Sequence, residues 1–155
     1  MTDKELAFVE FLPDGKGYRA SIRLADIERF AGDWERKLQR GANAYQGMVA
    51  AMLAVKSEMT QMRAQRRPIP ARTAWELGNR VLRLTSKLRS SGLQLDGLYD
   101  HLCRDLGVKR MWLEKVIIFR THIPRKSAIP GDLPWARCRD APRSSAYRIL
   151  KGESL

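Results

Sequence analysis

The chain has 155 residues, 44% of them hydrophobic, and carries a formal charge of +12 with a pI of about 10.3. That hydrophobic content excludes wholesale disorder, and the length suits one domain, or one domain with an appendage. The charge points to a polyanionic partner. It is uneven: residues 1–40 hold eight Lys/Arg against eight Asp/Glu, residues 41–100 nine against four, and residues 101–155 twelve against five.

Residues 6–24 read as a β-hairpin. LAFVEFL and YRASIRL flank PDGKG, where Pro13, Asp14, Gly15 and Gly17 supply turn chemistry. Tyr18, Ala20, Ile22 and Leu24 alternate with Arg19, Ser21 and Arg23, giving one apolar face. A lone hairpin is marginal in water. It is therefore expected to lie on a helix, pair with another copy or add to a partner's sheet. An oligomerisation element and a simple N-terminal flap both fit.

From Ala25 to about Arg66 there is one long helical pattern. Ala31, Leu38, Tyr45, Met52 and Met59 recur every seven residues, and Ile27, Trp34, Gly41, Met48, Val55 and Met62 form the offset series. This is the a/d repeat of a coiled coil. An unbroken helix of that span would be about 60 Å long, too long to bury its stripe within a small monomer. The stripe over residues 27–62 is therefore the expected surface for self-association or for a protein partner. Gly41 with Asn43 leaves open a bend into two antiparallel helices.

Pro68 and Pro70 end this helix, with Arg63, Arg66, Arg67 and Arg72 clustered round the break. Such arginines either complement the helix dipole or clamp a phosphate backbone. The next helix, from Arg72 to about Ser90, aligns Leu77, Val81, Leu84 and Leu88 on one face, with Trp75 and Leu82 on a second.

LDGLYDHLCRDLGVKRMWLEKVIIFRTH, from Leu95 to His122, has the layout of a helix-turn-helix. Leu98, Leu102 and Leu106 stripe the first helix, Gly107 supplies a positive φ for the turn, and Leu113, Val116 and Ile117 restart an apolar face. Lys109 and Arg110 at the entrance of the second helix, with Lys115, are expected at a nucleic-acid groove. Pro124 stops that helix. A basic connector follows, then a last helical region interrupted at Pro142, from which Trp135, Cys138, Ala146, Tyr147 and Ile149 can pack back on the core. Arg120, Arg125, Lys126, Arg137 and Arg139 are the candidates for flanking phosphates. Arg63, Arg66 and Arg67 complete the candidate nucleic-acid contacts.

Cys103 and Cys138 lie far apart without CxxC spacing, which indicates neither a disulfide framework nor a zinc site. His101 and His122 have no evident carboxylate or nucleophile partner, and there is no GxxxxGK[ST], GxGxxG or HExxH motif. A non-enzyme without metal or cofactor is expected. No signal-peptide pattern and no run of about 18 apolar residues is present, so the expected location is the cytoplasm.

Several stretches carry a resemblance. These are Trp75-Glu76-Leu77-Gly78-Asn79-Arg80-Val81, Leu102-Cys103-Arg104-Asp105-Leu106-Gly107-Val108, Trp112-Leu113 through Phe119-Arg120 and Pro124, and Leu133-Pro134-Trp135. Over about residues 70–150 the chain resembles the N-terminal helical DNA-binding domain of the bacterial YhcG-like PD-(D/E)xK nuclease family. The nuclease domain has no counterpart here, so the resemblance implies nucleic-acid contact and not cleavage.

The combined expectation is a mainly α protein. Residues 1–67 would form a hairpin plus long helix for assembly, and residues 68–155 a helical nucleic-acid-binding domain that favours DNA. One rival is a small helical subunit of a larger ribonucleoprotein, of the kind found in CRISPR effector complexes, which lines nucleic acid without reading it. Another is a protein-interaction adaptor whose heptad stripe is the function.

Overall fold

The computed structural model describes residues 6–10, 19–23, 34–91, 94–95 and 97–155, and it is mainly helical. Among the described residues the helices are α1 (Trp34–Ala64), α2 (Ala71–Ser90), α3 (Leu98–Leu106), α4 (Arg110–His122) and α5 (Pro142–Leu150). Single 3₁₀ turns occupy Lys126–Ala128 and Trp135–Arg137. Of the hairpin expected over residues 6–24, the structure describes only the backbone pairing of Leu6–Glu10 with Arg19–Arg23. Its turn and all its side chains lie outside the described residues, as does the start of the long helix between residues 25 and 33.

Helix α1 runs 31 residues without a break, about 46 Å at 1.5 Å per residue, so the chain does not fold into two helices at Gly41 and Asn43. Its buried stripe is Ala42, Tyr45, Val49, Met52, Val55 and Met59. The heptad positions Tyr45, Met52, Val55 and Met59 are thus core positions, but what covers them corrects the expectation of a second chain. Helices α2 and α3 both pack against α1, so this part of the stripe is buried by the chain's own helices. A partner helix is supplied in cis. One buried cluster accordingly draws on residues from both segments expected as separate domains, from Ala42 to Ile149.

The end of α1 shows how the chain turns. The amide of Arg67 donates to the Met62 carbonyl at 2.8 Å and that of Arg66 to the Arg63 carbonyl at 3.1 Å, the paired bonds of a Schellman motif. The residue in the left-handed position is Arg66, at φ 56°, where glycine is the usual occupant. Pro68 then forbids further helix.

Helix α2 forms the centre of the described fold. Leu77, Val81 and Leu84 are fully buried, as the spacing predicts. Gly78 permits α4 to approach: a β-carbon built on it would lie 2.5 Å from the Val116 carbonyl oxygen and 2.9 Å from Arg120 Cβ. The segment 129–135 wraps the start of α2, with the Ala71 amide donating to Leu133 and the Trp135 amide to Ile69, at 2.8 and 2.7 Å. Trp135 is buried edge-on against Phe119, ring centroids 5.2 Å apart. Burying a large apolar side chain of this kind contributes roughly 1.5–3 kcal/mol.

At the C-terminal end two expectations change. Pro142 opens α5 as its first residue instead of interrupting a helix, because the missing N–H costs nothing in the first turn. Tyr147 does not pack back: it is 59% exposed, with the Lys151 ammonium 4.4 Å from its ring centre, whereas Cys138, Ala146 and Ile149 are buried as expected.

Candidate nucleic-acid interface

Helices α3 and α4 are joined by the turn that their spacing predicts. Gly107 takes φ 64°, ψ 40°. Its amide donates to the Arg104 carbonyl and that of Val108 to the Cys103 carbonyl, closing a second Schellman motif. Leu102, Leu106, Leu113 and Val116 bury the inner faces of the pair. The outer face of α4 carries Arg110, Met111, Glu114, Thr121 and His122, all exposed, with Lys115 and Ile118 partly covered.

The electrostatics of that outer face are more balanced than the spacing alone suggests. Arg110 Nη1 donates to Asp100 at 2.6 Å and its Nε donates to Glu114 at 3.0 Å, while the guanidinium lies 5.4 Å from the Tyr99 ring centre. Two carboxylates hold its pKa above the ordinary arginine value and offset its charge locally. Met111, 68% exposed, presents a thioether instead of a hydrogen-bonding group.

The uncompensated charge sits to one side, where α1 meets the entrance of α4. A cavity of about 310 Å³ opens there. Lys56 and Arg63 reach it from α1, and Lys109 from the N-cap of α4. Met59, Val108 and Trp112 supply an apolar wall. Among the described residues no carboxylate lines it, and the first turn of α4 has neither an acidic residue nor a side-chain cap. The Lys56 ammonium donates to the Gly107 carbonyl at 3.3 Å, which holds one charge at the rim. Like charges gathered at one cavity repel one another, which an anion between them relieves. A second cavity, of about 510 Å³, lies by Pro130 and Leu155, but Asp132 and Glu153 face it beside Arg137, so its charges offset.

The other sequence-derived candidates divide into those engaged within the fold and those open to solvent. Arg120, expected at a flanking phosphate, is engaged within the fold. Its Nε donates to Asn79 Oδ1 at 2.8 Å and its guanidinium stacks 4.7 Å from the Trp75 ring centre. Trp75 in turn donates its indole N–H to the Ile123 carbonyl at 2.8 Å. Arg120 therefore fixes α4 on α2. Lys126 pairs with Glu76 at 3.3 Å, Arg137 donates to the Leu155 carbonyl at 2.8 Å, and Arg139 lies 3.9 Å from Asp140. Arg72 donates to the Ile129 carbonyl at 2.6 Å, again a structural contact. Arg66, Arg67 and Arg125 are exposed, with Arg67 donating to Gln65 at 3.4 Å.

Lys56 is the cation that the sequence reading passes over. The signal was present: Lys56 and Arg63 are seven residues apart, hence on one helical face, with Met59 between them. What the spacing could not supply is that this face meets Lys109.

His101 and His122 stand on different helices, and among the described residues no group of three or more His, Cys, Asp or Glu is placed to hold a metal ion. Both cysteines are free, and burial pushes the Cys138 thiol up to about 11. No described helix is long and apolar enough to cross a membrane. Comparison with protein-family models, curated proteins and solved structures returned no match for this chain.

Proposed function

We propose that this chain is a non-catalytic nucleic-acid-binding protein that engages the phosphate backbone where α1 meets α4. The observation that carries the reading is the convergence of Lys56, Arg63 and Lys109 on one cavity whose lining, among the described residues, has no carboxylate. Cations from two distant stretches of sequence stand together without the acidic partners that Arg110 and Lys126 have. A closely spaced polyanion relieves their repulsion and releases its own counterions in doing so.

Two forms of the reading differ in what they ask of α4. In the first, suggested by the resemblance to the YhcG-like DNA-binding domain, α4 enters a duplex groove with Lys109 and Lys115 at the phosphates. In the second, the chain lines nucleic acid without reading bases, as a subunit of a larger ribonucleoprotein would. Glu114 and Met111 on the outer face of α4 favour the second, because neither is suited to a phosphate-lined groove. Self-association belongs to the same proposal but is confined to the hairpin and the heptad positions before Gly41, since Tyr45 to Met59 are covered within the chain.

Fluorescence polarisation with matched duplex DNA, single-stranded DNA and RNA across a salt series tests the function directly. Binding near micromolar concentration that weakens linearly in log salt is expected. Failure to bind any of the three at about 100 mM salt would overturn the proposal and leave the protein-interaction adaptor as the better reading.

A further inference from the structure

We infer that the α1–α4 cavity is a subsite for one unstacked nucleotide: its phosphate sits among the cations and its base lies against Trp112. The inference rests on the nucleic-acid reading above and specifies what the cavity adds to it. Three features of the cavity carry it.

The first is size. A volume of about 310 Å³ is at the lower end of small-ligand pockets, enough for a single nucleotide and more than a bare phosphate fills. The second is composition. Lys56, Arg63 and Lys109 supply charge, while Met59, Val108 and Trp112 supply apolar surface. A site for phosphate alone gains nothing from an indole, and a site for an apolar ligand gains nothing from three cations. A nucleotide uses both, because every base has a π-face that stacks on an aromatic ring. The third is the state of Trp112 itself. It is partly buried, packed against the core and at the same time among the residues that line the cavity. A ring anchored in this way stacks on a base with little loss of side-chain freedom.

The same geometry sets the form of nucleic acid. Bases within a duplex are stacked on their neighbours and present only edges in the grooves. A base can face Trp112 only if it is at a strand end or in a single strand. A free nucleotide carries the same chemistry, so strand and nucleotide are compared directly.

The test uses the full chain. Tryptophan emission is followed while a nucleoside monophosphate, the matching nucleoside and inorganic phosphate are titrated in separately, with Trp112→Phe as the reference for the other three tryptophans. In parallel, polarisation measures a fluorescent single-stranded oligonucleotide and a duplex against wild type and Trp112→Leu, with circular dichroism confirming that each variant is folded. The expected result is emission quenched by the monophosphate more strongly than by nucleoside or phosphate, and the difference lost in Trp112→Phe. Single-strand affinity should fall about tenfold in Trp112→Leu while duplex affinity stays within about twofold. Quenching by free monophosphate without a loss of strand affinity would assign the pocket to a free nucleotide, overturning the strand subsite. Strand binding with no quenching and no effect of Trp112→Leu would overturn the subsite and leave the general function standing. If neither strand nor duplex binds, the function and the subsite fall together.

Discussion

Lys56 on α1 donates its ammonium to the carbonyl oxygen of Gly107, 3.3 Å away and 51 residues later, tying the longest helix to the left-handed turn between α3 and α4. The contact places a cation at the turn that opens α4. It also leaves little room there, since a β-carbon on Gly107 would lie 3.1 Å from that nitrogen. Gly107→Ala should therefore cost about 1–2 kcal/mol, mainly from forcing alanine into the left-handed region. Urea denaturation should show a lower midpoint with an unchanged slope. An unchanged midpoint would mean that the turn has another conformation in solution.

The opposite effect is expected at the end of α1. Arg66 occupies the left-handed position of a Schellman motif, at φ 56°, where only glycine is unstrained. Arg66→Gly should raise stability by about 0.5–1 kcal/mol, or roughly 1–4 °C in Tm. A fall in Tm would show that the arginine side chain contributes more than its backbone strain costs.

Arg120 and the cavity cations should separate by phenotype. Arg120→Ala removes a hydrogen bond to Asn79 and a stacked cation from Trp75, and should cost about 2–3 kcal/mol. Lys109→Ala should leave stability within about 0.5 kcal/mol, because its side chain is exposed and no carboxylate among the described residues lines the cavity beside it. Thermal unfolding of the two variants, alongside nucleic-acid affinity, decides this. Equal affinity losses in two equally stable variants would return Arg120 to the interface.

Much of the helical plan is legible in the sequence because period and punctuation agree. Leu77, Val81, Leu84 and Leu88 mark the inner face of α2, and Gly107 marks the turn after Leu106. The partner of the α1 stripe is not legible. A heptad pattern specifies that Tyr45, Met52 and Met59 must be covered, but not whether another chain or α2 covers them. The fate of individual cations is equally hidden. Arg110 and Arg120 read alike as charges on a recognition helix. Glu114 lies one helical turn after Arg110 and is within local reach of it, but only tertiary contact reveals that Asp100 binds Arg110 as well and that Asn79 and Trp75 bind Arg120.

Alkaline pH should weaken the fold through Cys138. Burial raises its thiol from 9.0 to about 11 in the native chain. Between those values the native state keeps a proton that the unfolded state has released, so stability is full below 9 and falls as pH climbs towards 11. Cys138→Ala removes this dependence on pH. Denaturation midpoints taken between about pH 8 and about pH 10.5 should fall more steeply for wild type than for the variant. Parallel declines would show that the buried thiol does not contribute.

Binding at the α1–α4 junction requires Lys56, Arg63 and Lys109 to act together on phosphate. The direct measurement is the slope of log affinity against log salt for single-stranded DNA, in wild type and in the Lys56→Ala, Arg63→Ala, Lys109→Ala triple variant. Each phosphate contact on a single strand contributes a slope of about −0.7, so losing three should reduce its magnitude by about two, with a matching drop in affinity at low salt. An unchanged slope and affinity in a folded triple variant would contradict the claim and move the interface away from the α1–α4 junction.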